Sequence, residues 1–126
     1  MAVRVYAQVL GVVLILIGVV GLALGERLFL GILNIDIVED AVHLITGGLL
    51  ACVGFSRVDL ALARNVVLGL GVVYLLVGLL GFVVPTMFGL LPDGYTAFDN
   101  LLHLALGVLS IAVALFARGE APAAGR

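Results

Sequence analysis

Two histidines stand at matching places in this chain, each near the head of an apolar run. Asp36, Glu39 and Asp40 lead to His43 in NIDIVEDAVHLITGG, and sixty residues on Thr96, Asp99 and Asn100 lead to His103 in GYTAFDNLLHLALG. Two neutral imidazoles at equal depth on facing helices can take both axial positions of a haem b, with neighbouring carboxylates or amides fixing each tautomer. Alternatively, Asp40-x-x-His43 and Asn100-x-x-His103 have the (i, i+3) spacing at which a helix presents two side chains to one metal ion. His43, His103, Asp40, Glu39 and Asp99 are then the candidate metal ligands. Gly47 and Gly107, one turn beyond each histidine, either let helices approach closely or clear room for a flat ligand. Between the carboxylates and the rest of the chain, Thr46 and Tyr74 are the next polar groups, too few for a continuous proton or cation path across a membrane.

The elements that position these residues must lie in lipid. Of 126 residues 64% are hydrophobic and 11% charged, and lysine is absent, a composition that no soluble domain of this size carries on its surface. Four apolar segments, Val5 to Leu24, Ile37 to Phe55, Val66 to Val84 and Asn100 to Ala117, are each long enough to cross a hydrocarbon core about 30 Å thick. The first exceeds the length of a signal-peptide core and is followed by no clear cleavage site, so it reads as a permanent span. Arg4, Arg57, Arg64, Arg118 and Arg126 fall on one side of these spans. Arg27 falls on the other, with Glu26, Asp36, Glu39, Asp40, Asp93 and Asp99. The positive-inside rule makes the arginine side cytoplasmic, with both termini there and both histidines toward the outer face. The segments ERLFLGIL and PTMFGLLPDGY suit short amphipathic turns in the outer interface, and the tail from residue 118 to 126 has the small, polar composition of a disordered segment. Cys52, the single cysteine, lies within span two and forms no internal disulfide.

A shift of sixty residues aligns Arg4 with Arg64, Gly11 with Gly71, Gly18 with Gly78, Gly21 with Gly81, His43 with His103 and Gly47 with Gly107. Rarer residues meeting at one offset mark a duplication. The expected fold is therefore all-α: a four-helix transmembrane bundle built from two parallel repeats of a helical hairpin, residues 1–60 and 61–117, related by a pseudo-twofold axis along the membrane normal. The glycines recur at helical-face spacing and read first as packing positions.

The carboxylates also have a structural reading. Asp36-x-x-Glu39 and Thr96-x-x-Asp99 are capping-box patterns, which would set Glu39 and Asp99 to starting helices rather than to chemistry. His43 and His103 then lie seven residues into their helices, about 10 Å below the start. An imidazole at that depth faces the bundle interior and needs a partner. It either ties helices together or holds a ligand.

The repeated pattern [DN]-x-x-H-L-x-x-G, in DAVHLITGGLL and NLLHLALGVLS, resembles an uncharacterised family of small four-span bacterial membrane proteins, domain of unknown function 4383, over about residues 4 to 117. Asn100, His103 and Gly107 match, as do His43 and Gly47, whereas Asp40 stands where the pattern has Asn. The resemblance implies the four-span fold and no particular activity. No nucleophile arrangement, phosphate loop or basic surface for nucleic acid is present. The expected protein is a non-enzymatic small subunit of the bacterial cytoplasmic membrane. It packs in the lipid bilayer with itself, as a homo-oligomer, or in a larger membrane complex, or alternatively serves as a haem- or metal-binding electron-transfer module.

Overall fold

The computed structural model describes residues 2–117. The segment from residue 118 to 126, including Arg118 and Arg126, lies outside the described residues, and with it the expectation of a disordered tail. Four helices follow in order: α1 (Ala2–Leu24), α2 (Ile37–Phe55), α3 (Leu60–Val83) and α4 (Ala97–Phe116). Each is long and apolar enough to cross a membrane. Their outward side chains, among them Val9, Val19, Leu76 and Phe82, stay exposed, as lipid-facing positions do.

Three boundaries differ from those expected by more than a residue. α1 begins at Ala2 instead of Val5 and α4 at Ala97, immediately after its Thr96 cap, instead of Asn100. α3 begins at Leu60, not Val66, so Arg64 lies inside the helix rather than in the connecting loop. Leu60, Ala61, Leu62, Ala63 and Arg64 are all good helix formers, and no glycine or proline interrupts them. The first interhelical loop is not an amphipathic turn. It forms an antiparallel pair, β1 (Arg27–Phe29) with β2 (Leu33–Ile35), in register Arg27↔Ile35, Leu28↔Asn34 and Phe29↔Leu33. Leu30 and Gly31, at φ 53° and 73°, turn the chain between them.

α1 packs closely on α2 and α3 on α4, and far fewer contacts join the two hairpins. Glycine explains the closeness. A Cβ on Gly11 would meet the Ala51 backbone nitrogen at 2.6 Å and the Gly47 carbonyl at 2.9 Å, and one on Gly107 would meet the Leu75 nitrogen at 2.5 Å and the Gly71 carbonyl at 2.8 Å. The equivalence extends to the ends: Gly21 leaves room for the Asp40 carboxylate and Gly81 for the Asn100 amide. Each pair of residues is displaced by sixty, so the duplication seen in the sequence is built into the packing. At the end where α1 begins and α2 stops, Arg4 donates to the carbonyls of Ser56 at 2.9 Å and Val53 at 3.3 Å, and to that of Val58, closing the C-terminus of α2.

Gly107→Ala should destabilise the bundle by about 1–3 kcal/mol, because the methyl meets backbone that cannot turn aside. Gly69→Ala, whose Cβ meets nothing within 4 Å, should be neutral or stabilising by up to about 1 kcal/mol through helix propensity. Unfolding equilibria of both variants in mixed micelles check the contrast.

Candidate functional site

The polar groups gather at the end of the bundle that carries the β1–β2 hairpin and the 84–96 loop. α2 starts at Asp36, whose Oδ1 accepts from the Val38 nitrogen at 2.8 Å. α4 starts with a complete capping box: the Asp99 nitrogen donates to Thr96 Oγ1 at 3.1 Å, and the Thr96 nitrogen donates to Asp99 Oδ2 at 2.9 Å. Asp99 does more than cap. Its Oδ2 also accepts from the Asn34 nitrogen at 3.0 Å, while Thr96 Oγ1 donates to the Ile32 carbonyl at 2.5 Å, so the β-hairpin is seated on the start of α4.

Glu39 departs from the capping role its spacing suggests. Instead of returning to the start of its own helix, its carboxylate crosses the bundle to His103, with Oε1 at 3.5 Å from Nε2. His43 completes the group. Donor atoms of Glu39, His43 and His103 all lie within 4.8 Å of one another, and the imidazole centroids are 6.5 Å apart with their planes at 46°. Glu39 and His103 are 6% exposed, while His43 is half-buried. Glu39 Oε2, His43 Nδ1 and His103 Nδ1 are buried with no hydrogen-bond partner among the described residues.

Of the residues singled out in the sequence, the structure therefore unites Glu39, His43 and His103. Asp40 turns to Gly21 instead, and Asp99 is engaged by the backbone of Asn34 and Thr96. Gly47 and Gly107 lie against the partner helix of their own hairpin, which is the close-approach role.

Two tyrosines and an asparagine join the site. Tyr74 packs on His103 at 5.8 Å and shares a 2.7 Å hydrogen bond with Thr46, and Tyr95 stands edge-on to His103 at 5.0 Å. Burial, reinforced by the Glu39 and Asp99 carboxylates, raises the pKa of the Tyr95 hydroxyl, so this ring meets the imidazole as a neutral phenol. Asn34, 5% exposed, has neither Oδ1 nor Nδ2 hydrogen-bonded among the described residues. Tyr74 was visible as a polar residue in mid-span. Tyr95 carries a signal only in its place next to the Thr96 cap, and Asn34 none, since its burial depends on the hairpin. Beside the site a cavity of about 560 Å³ runs between α1 and α4.

Four membrane-length helices in two hairpins, with a carboxylate and two imidazoles gathered between them, define a small multi-pass membrane protein with a polar centre toward one end. The chain belongs to the family described as a domain of unknown function (DUF4383), which matches residues 4–116. No curated protein and no solved structure matches it.

Asp99→Ala should cost more than Asp36→Ala. Loss of the Asp36 cap removes about 0.5–2 kcal/mol, whereas Asp99→Ala opens a capping box and leaves the buried Asn34 N–H unpaired, a further penalty of about 1–3 kcal/mol. Thermal unfolding of the two variants in the same detergent gives the order.

Proposed function

We propose that the protein is a small non-enzymatic membrane module whose working part is a metal centre formed by Glu39, His43 and His103. The observation that carries this reading is the 3.5 Å separation between Glu39 Oε1 and His103 Nε2 in a group of three donors. Two donors bonded at about 2.0–2.1 Å to one tetrahedral ion stand about 3.4 Å apart, so this pair is already spaced for a shared zinc-like cation. Two neutral imidazoles and a carboxylate suit Zn²⁺ and comparable divalent ions, and leave a coordination position for a further ligand.

A haem fits less well. A bis-histidine haem needs its iron on a nitrogen of each imidazole, and Glu39 Oε1 already stands 3.5 Å from His103 Nε2, one of the two nitrogens that ring offers. Pure helix tying would use the same Glu39–His103 contact but gives no reason for three buried, unpartnered polar atoms around it. The arginine distribution supports cytoplasmic termini and an outward-facing centre in a bacterial cytoplasmic membrane. In that setting the module serves as an accessory subunit, with its lipid-facing helices free to pack on a larger membrane partner or a second copy.

Co²⁺ titration of the chelator-stripped protein in mild detergent tests the reading. One equivalent should bind, with the visible bands of a low-coordinate site, and Glu39→Gln, His43→Gln and His103→Gln should each weaken binding by at least about tenfold. Absence of saturable Co²⁺ binding would overturn it. A Soret band after expression with haem precursor, lost in the double histidine variant, would replace the metal ion with haem.

A further inference from the structure

The cavity between α1 and α4 has a polar head and an apolar body. Asn34, Glu39, Asp40, His43, Asp99 and His103 lie at the head, and the body runs down α1 from Leu24 to Leu10, about 21 Å of helix. Its volume of about 560 Å³ is within the usual range for small-molecule sites. At the head, Asn34 and Glu39 are both more than nine-tenths buried, and Asn34 Oδ1, Asn34 Nδ2, Glu39 Oε2 and His43 Nδ1 lack hydrogen-bond partners among the described residues. Groups so desolvated are placed to meet a hydrogen-bonding ligand.

The internal repeat indicates its shape. Sixty residues before Tyr74 and Tyr95 stand Leu14 and Ile35, and both of these line the cavity. In the second repeat, two phenol rings pack against His103; in the first, the equivalent aliphatic side chains border the cavity that His43 and His103 both line. The fold itself therefore displays, against one histidine, the kind of group that suits the other: a neutral aromatic ring bearing a hydroxyl. Charge narrows the class further. Asp36, Glu39, Asp40 and Asp99 are all buried around the head, and the nearest arginine in sequence, Arg27, is exposed, which disfavours a phosphate head and favours hydroxyl donors.

We propose that this cavity binds a lipid-soluble hydroquinone, with its ring hydroxyls donating to the Glu39 carboxylate and the Asn34 amide oxygen and its single apolar tail lying along α1. The site shares Glu39, His43 and His103 with the metal centre, whereas Asn34, Leu14 and Ile35 lie outside that group, so variants at those positions test the cavity separately from the metal centre.

The probe is decylubiquinol, kept reduced under anaerobic conditions and added to the full chain in phosphatidylcholine nanodiscs. Saturable binding of one molecule per chain, above partition into protein-free discs, is expected. Leu14→Tyr and Ile35→Tyr, which give the first repeat the rings of the second, should each weaken it by at least about tenfold by filling the cavity. Leu76→Tyr, on a lipid-facing position of α3, should leave it unchanged. Far-UV circular dichroism and Co²⁺ binding on the same samples report the fold and the metal centre, so failure of either reading is seen separately. If one cavity variant does not fold, the other decides. Binding no greater than partition, equal binding by a folded cavity variant, or displacement by equimolar dioleoylphosphatidylglycerol would each overturn the proposal.

Discussion

Helices in lipid gain nothing by hiding apolar surface from one another, so this bundle depends on how closely its backbones can approach. Within each hairpin the approach is made by glycine: Gly11 against Gly47 and Ala51, and Gly107 against Gly71 and Leu75. Gly18 and Gly78 continue the same seams. Because those contacts join α1 to α2 and α3 to α4, the hairpins are the tight units and the space between them is looser. Polar side chains occupy that space. The Glu39–His103 contact links α2 to α4, Thr46–Tyr74 links α2 to α3, and Tyr6 shares a 2.6 Å hydrogen bond with Ser110 to link α1 to α4. In an apolar surrounding such groups find partners across the bundle, so the centre is a consequence of the same packing that leaves the hairpins distinct.

Duplication supplies two equal halves, and substitution has made them unequal. Asp36 and Thr96 both cap, and Asp40 and Asn100 both rest on a glycine of the neighbouring helix. Around the histidines the equivalence ends. Tyr74 and Tyr95 pack their rings on His103, while their counterparts Leu14 and Ile35 border the cavity that both histidines line. The loops diverge with them, since the first pairs into strands and seats Asn34 on Asp99 whereas the second forms turns.

Much of the fold was legible because its causes are local. Span length, hydropathy and the sixty-residue offset are properties of the chain alone, and they lead to four helices in two hairpins. The start of α3 is hidden in the sequence because Arg64 reads as a loop residue, although near a helix end its long side chain can leave the apolar region while its backbone stays helical. The strand pair carries little signal because RLFLGILNI alternates weakly and pairs over three residues only. At the site, the histidines and carboxylates could be nominated from their types and spacing. Which carboxylate joins them is a tertiary matter, because Glu39, Asp40 and Asp99 share one stretch of sequence logic and differ in the direction they face.

That difference has a physical origin in side-chain length. Glu39 and Asp99 hold equivalent places, three residues after their caps. Aspartate is short, and at that position its carboxylate reaches back to the Thr96 nitrogen and closes the box. Glutamate carries one more methylene and can close such a box as well, but it can also extend away from the helix start. Here the Asp36 side chain already accepts from Val38, and the His103 imidazole lies across the bundle, so the longer carboxylate turns inward. One methylene between two duplicated positions thus separates a helix cap from a member of the polar centre, and only the first repeat contributes a carboxylate to the pair of histidines.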